Sequence, residues 1–214
     1  MPALKGAFLR LDAGLLGFLP DIVIFQFNPE SISRTPTLAQ APPPSDGSGP
    51  HNTNEQPGEP SESISFSLRL DATDQLAMGN PIAAASGILP ALSALEMLLY
   101  PKSSLSIDLF GGGTQPYQNP PERLPTVLFF WGVYRIVPVN VTSLSVQETE
   151  YDQLLNPIRA EVSVGLDIVT PSQLPADALF ARSAYKYTQA QKEIMAALNL
   201  ANPPDVLTRT LGSF

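Results

Sequence analysis

The sequence predicts a mainly β (α+β) fold, an antiparallel β-sandwich or small barrel with one or two flanking helices, one of them C-terminal. Three observations lead there. Apolar and polar residues alternate over several stretches of strand length. Turn formers punctuate the whole chain, with 23 Pro and 14 Gly among 214 residues. Helical spacing emerges in only two places, near Pro90 and beyond Pro175.

The clearest strand is Ser63 to Asp71, where Ile64, Phe66, Leu68 and Leu70 alternate with Ser65, Ser67 and Arg69. Glu161 to Asp167 repeats the pattern with Val162, Val164 and Leu166, continued by Ile168. A period of two places each apolar set on one face of a sheet. Shorter strands are expected at Ala7–Leu11, Asp21–Phe27 and Leu105–Leu109. Val127 to Tyr134 is almost wholly apolar, as a central strand covered on both faces would be. From Val139 to Val146 the apolar phase slips near Ser143, which predicts a bulge or turn. About seven strands result, enough for a sandwich or barrel.

A first helix is expected over Pro90–Leu99, with Pro in its first turn and Pro101 as its stop. A second spans Pro175–Leu200, with a stripe of Leu179, Phe180, Ala184, Tyr187, Ile194, Ala197 and Leu198. Asn202-Pro203-Pro204 ends it. The organisation is thus a β domain over residues 1–170 and a helix with a tail over 171–214. A long proline-rich loop is inserted at 36–60, whose composition cannot form a core.

Composition narrows the function. A hydrophobic share of 43% can bury a sizeable core, while the charged share is only 15% and the net charge is −8. Nucleic-acid binding draws on clustered Lys and Arg, so this balance argues against it, and against docking on an anionic membrane. Without cysteine there is no disulfide, thiolate metal site or cysteine nucleophile. The first residues lack the apolar core of a signal peptide. The uncharged stretch Gln75–Leu95 is broken by Gly79, Asn80, Pro81, Gly87 and Pro90, poor material for a membrane span.

No constellation of catalytic chemistry stands out. His51, the only histidine, sits in the polar loop, where neither metal ligands nor a triad can be held rigidly. Phe110-Gly111-Gly112-Gly113-Thr114 lacks the Lys and the spacing of a phosphate-binding loop. Glu148, Glu150 and Asp152 share a strand end and read as a solvated terminus, although paired acid–base work is geometrically possible there. Asn140-Val141-Thr142 matches a glycosylation sequon inside an expected strand. No catalytic, cofactor-binding or metal-binding residue is assigned, and the chain is expected not to be an enzyme. Trp131 is expected to pack in the core, with Gly132 marking a bulge or a close backbone approach.

Three motifs occur in order: Phe27-Asn28-Pro29 closing a strand, Phe130-Trp131-Gly132 in an apolar strand, and Pro157-Ile158-Arg159-Ala160 opening the last strand. In this order they resemble the tube-type N-terminal domain of contractile injection system baseplate proteins, over roughly residues 5–170. The resemblance implies a tail-tube-type fold and a sixfold homo-oligomeric ring, in which neighbours pair strands around a central channel. It implies a subunit that joins the inner tube protein to the spike hub and other baseplate subunits, assembled in the cytoplasm. Phe27, Asn28, Pro29, Trp131, Gly132, Pro157, Arg159 and Ala160 are its motif and interface candidates. Arg159 is expected to pair with a carboxylate, on a neighbouring subunit or within the chain. Members of the family often carry a peptidoglycan-binding (LysM-type) module, whereas here a helix and a short tail follow residue 170. Other readings are a tube-terminator or cap subunit of the same particle, a ligand-binding β-sandwich, and a hydrolase using the Glu148–Asp152 carboxylates.

Overall fold

The computed structural model describes residues 4–11, 21–38, 58–99 and 126–201. In chain order the elements are β1 (Ala7–Arg10), β2 (Asp21–Ile24), β3 (Ser33–Thr37), β4 (Ser61–Asp71), α1 (Thr73–Ala77), α2 (Pro81–Ser86), α3 (Leu89–Glu96), β5 (Val127–Phe130), β6 (Ile136–Tyr151), β7 (Pro157–Ile168) and α4 (Leu179–Ala201). The fold is mainly β with flanking helices, including the C-terminal one. All strands belong to one seven-stranded antiparallel sheet in the order β2-β1-β5-β6-β7-β4-β3, which is not closed.

The sheet is nevertheless strongly curled. β5, β6 and β7 lie between β1 and β4, which on a flat sheet would hold those strands about 19 Å apart. Yet the rings of Phe8 in β1 and Phe66 in β4 stack with centroids 6.3 Å apart. Phe129 of β5 joins them at 5.6 Å from Phe8 and 5.5 Å from Phe66. Phe25, just beyond β2, meets Phe8 edge-on at 5.1 Å. Such contacts need the sheet to wrap around them, and burial of the four rings supplies the driving force. The alternation of β4 delivers Ile64, Phe66, Leu68 and Leu70 to the same core, and β7 delivers Ala160, Val162, Val164 and Leu166.

The curl brings the two end strands together. Residues 25–32 suffice to connect β2 to β3, although these lie at opposite ends of the sheet order. Across the gap the Gln26 side chain bonds the backbone of Asp71 as a peptide would. Its amide donates to the Asp71 carbonyl, and its carbonyl accepts from the Asp71 N–H at 2.9 Å. A side-chain amide thus bridges the seam where a barrel would have a strand pair.

The β6–β7 hairpin has the two longest strands described, of 16 and 12 residues. The phase slip expected near Ser143 is a register shift between Val141 and Ser143. Gly165 faces it, and a side chain there would collide with the Ser143 hydroxyl.

Several expectations need correction. The apolar run Val127–Tyr134 is strand only to Phe130. A turn follows, with Gly132 at φ +76 and nothing near where its side chain would be, so Gly132 serves the turn rather than a close approach. Strand β3 carries no alternation because every residue of it is exposed, and it takes Pro36 and Thr37 from the expected loop. The helix expected at Pro90–Leu99 is α3 (Leu89–Glu96), but two further short helices, α1 and α2, precede it, and no described helix is long and apolar enough to cross a membrane. The expected strand Leu105–Leu109, the glycine run 111–113, His51 with residues 39–57, and the tail 202–214 lie outside the described residues.

The face of α4 is the largest correction. The stripe predicted to be buried is mostly exposed: Leu179, Phe180, Tyr187, Ile194 and Leu198 all face outward. Ala181, Tyr185 and Thr188 are buried instead. On this face the Thr188 hydroxyl reaches the start of β6, where it donates to the Ile136 carbonyl (2.7 Å) and accepts from its N–H (3.0 Å). The face with Thr188 thus satisfies both peptide groups of Ile136 at the start of β6.

Truncating Phe129 to Ala should cost about 3–5 kcal/mol, because it empties the centre of the ring cluster. Ile194→Ala, on the exposed face of α4, should stay within about 0.5 kcal/mol. Urea denaturation of the two purified variants measures both.

Candidate assembly surfaces

The motif residues are dispersed over the fold, but most converge on one surface. Phe27, Asn28, Pro29, Arg159 and Ala160 line a single concave groove of about 1130 Å³ on the outer side of β4, β7 and β6. Its floor is small and polar, with Ser65 and Ser67 of β4, Ser163 of β7, and Ser143 and Ser145 of β6. This is the solvent half of the same alternation that fills the core, so the hydroxyl face and the apolar face are two readings of one pattern.

Asn28 ties the wall of the groove to the chain start. Its side chain accepts from the Gly6 N–H and donates to the Leu4 carbonyl, both at 2.9 Å. Gly6 in turn is wedged against Phe25 and Trp131, so closely that a side chain there would collide with both rings. Trp131 is half-buried and stacks on Phe129 at 6.2 Å. The first two motifs therefore meet through Gly6. Pro157 is buried away from the groove and accepts from the Ile88 N–H at 2.9 Å. Gly87 beside it has φ +56 and no room for a side chain against the Pro157 carbonyl. Ala160 is a core residue beneath the groove.

Arg159 has its partners within this chain. Its guanidinium donates to Asp71 Oδ2 at 2.9 Å, to Glu150 Oε1 at 2.6 Å and to Thr73 Oγ1 at 3.2 Å. The Asp71 charge, then Glu150, pushes its pKa upward. Burial alone would raise the Asp71 carboxyl, but hydrogen bonds from Thr73 and the Arg159 charge hold it below its ordinary value. This network locks the ends of β4, β6 and β7. The nearby Asp152 caps the hairpin turn, accepting from the N–H groups of Leu154 and Asn156 at 2.8 Å each. Glu150 and Asp152, weighed above as possible catalytic acids, are thereby engaged in structural bonds.

A second charge cluster was not legible in the sequence. Glu62 is only 9% exposed, on the core side of β4. Arg34 of β3 donates to it at 2.6 Å and Lys192 of α4 at 3.1 Å, so one carboxylate fastens an end strand and the distal helix. Burial raises the Glu62 pKa, yet the bonds from Lys192 and Arg34 outweigh it and leave the carboxyl below its ordinary value. Arg135 nearby is depressed by burial and by the Arg34 charge.

Because its folded pKa is lowered, the stabilisation from Glu62 is complete above its ordinary value of 4.5 and fades as pH falls through the lower folded value. Glu62→Gln should therefore lower the Tm at pH 7, with the gap to the unmodified chain closing toward pH 3. Gln26→Ala should destabilise by about 1–3 kcal/mol by stranding the Asp71 peptide group. Thermal melts across pH and a urea titration read these two effects.

No curated protein matches the chain. A family model described as contractile injection system tube protein matches residues 19–174, which takes in everything from β2 to the end of the hairpin and its following turn. The match covers most of the chain and all but one strand of the sheet just described; the chain belongs to the contractile injection system tube protein family.

Proposed function

We propose that this chain is a structural, non-catalytic subunit that forms a sixfold ring where the inner tube of a contractile injection particle meets the spike hub and baseplate. The observation that carries the ring is the unclosed sheet. Its end strands β2 and β3 do not pair with each other, the Gln26 bridge reaching β4 instead, so among the described residues neither has a strand on its outer side. Free edges invite pairing with another chain, and ring formation satisfies them. The serine-floored groove face, with its small hydroxyls, suits the wall of a channel through which cargo passes without sticking. Partners in this reading are other copies of the chain, the inner tube protein, the spike or hub protein and neighbouring baseplate subunits. Assembly takes place in the cytoplasm of the producing cell.

A tagged copy expressed in the native host should bring down sheathed rods together with tube and spike chains, visible by negative-stain microscopy and identified by mass spectrometry. Label at the spike end supports the baseplate position. Label at the opposite end replaces it with a tube-terminator or cap. Recovery of a lone monomer overturns the assembly reading and points to a ligand-binding module using the groove.

A further inference from the structure

Three cations from separate elements gather around Glu62. Arg34 comes from β3, Lys192 from α4, and Arg135 from the turn between β5 and β6. The carboxylate is spent on two of them, Oε1 accepting from Arg34 and Oε2 from Lys192. The Arg135 guanidinium is half-buried and makes no hydrogen bond or ion pair among the described residues. Glu59 acts on nearby Tyr185 but pairs with none of the three cations. Cations are thus in excess here, on a chain whose net charge is −8.

Arg135 is held in place from both sides. Two residues before it, the Val133 carbonyl accepts from the Tyr187 hydroxyl at 2.9 Å, and one residue after it Ile136 is bonded to Thr188. Burial strips water from the guanidinium, and the Arg34 charge repels it, so its pKa falls. A cation fixed at that cost with no partner of its own points to an anion supplied from outside the chain.

The surroundings select the kind of anion. Tyr134, beside Arg135, is 58% exposed. On α4 the residues Ala181, Thr188, Lys192 and Met195 share one face, because positions three, four and seven apart align on a helix. The body buries Ala181 and Thr188, but every residue from Lys192 to Asn199 is exposed, which leaves Met195 uncovered on that face. A free phosphate would meet the cations and leave Tyr134 and Met195 wet. A peptide segment with both carboxylates and apolar side chains would use all of them. The densest acidic stretch of this chain is a poor donor of such a segment. Its Glu150 is bound to Arg159, and its Asp152 accepts three bonds within its own turn. That favours a different polypeptide over a second copy.

We propose that Arg34, Arg135 and Lys192, with Tyr134 and Met195 beside them, dock an acidic segment of a different polypeptide. Its carboxylates meet the cations and its apolar side chains cover Tyr134 and Met195. The site is read from the fold alone; only the setting of that polypeptide in the same particle rests on the assembly reading above.

The first test uses the purified chain and a fluorescein-labelled peptide of Glu and Leu, with leucines three and four positions apart, followed by anisotropy. A Glu-Ser peptide of equal charge and inorganic phosphate are the controls. The Glu-Leu peptide should bind at least about tenfold more tightly than the Glu-Ser peptide. Arg135→Gln should weaken it by about tenfold or more, yet melt no lower than the unmodified chain, because it removes a repulsion and no bond. A purely structural Arg135 would lower the Tm and leave the peptide bound. If Arg135→Gln melts lower, Met195→Ala decides, and should weaken the Glu-Leu peptide but not the Glu-Ser one. No binding, equal binding of the two peptides, or full displacement by phosphate at constant ionic strength overturns the proposal. In purified particles a carbodiimide, which joins amine to carboxylate directly, should link Lys192 to a different chain. A link to a second copy, or none beyond Glu62 of the same chain, overturns the choice of partner. If the chain enters no particle, the assembly reading falls, while the peptide result still decides the site.

Discussion

Four phenylalanines from distant parts of the sheet meet in one cluster, and the rest of the structure follows from that meeting. Phe8, Phe25, Phe66 and Phe129 come from β1, the segment after β2, β4 and β5. A flat sheet would leave these rings apart and open to water. Curling buries them, and burial of large aromatic side chains is among the strongest terms available to a chain without cysteine. Curling then dictates the seam. Once β2 and β4 approach each other, the peptide groups at the rim need partners, and Gln26 supplies them at Asp71. It also explains Gly6, which must be bare because Phe25 and Trp131 converge on it.

Charge completes what burial begins. At one rim Arg159 draws Asp71, Glu150 and Thr73 together, fixing three strand ends with one side chain. In the second cluster Glu62 receives Arg34 and Lys192, joining the polar end strand β3 and helix α4 to the body. Neither β3 nor the distal half of α4 buries enough apolar surface to hold its place, so charge-assisted bonds do it. The same economy shapes the surface. Carboxylates that could have marked a reactive site are consumed by caps and pairs, leaving a groove floored by hydroxyls. Large apolar side chains stay exposed on β2 and α4.

Much of this was written in the sequence. Period-two alternation located β4 to within two residues and the later part of β7, which begins four residues before the alternating stretch, because one face of each is buried and the other is wet. The slip at Ser143 announced the bulge, and the three short motifs announced the family. The sequence could not show β3, since a strand exposed on both faces has no pattern. Nor could it show the orientation of α4, where two candidate faces competed. That choice turned on a hydroxyl, Thr188, reaching an unpaired strand end, and nothing local distinguishes it from a surface threonine.

By itself the sequence determined the fold class, the position of the main strands and the family, because these depend on local periodicity and short motifs. Only the tertiary structure decided the curl of the sheet, the Gln26 bridge, the intramolecular partners of Arg159 and the burial of Glu62. Apart from the bond of Arg159 to Glu150 within the hairpin, these join residues far apart in the chain, from 28 positions between Arg34 and Glu62 to 130 between Glu62 and Lys192. Contacts of that range depend on how the whole sheet closes upon its core, and no window of neighbouring residues encodes them.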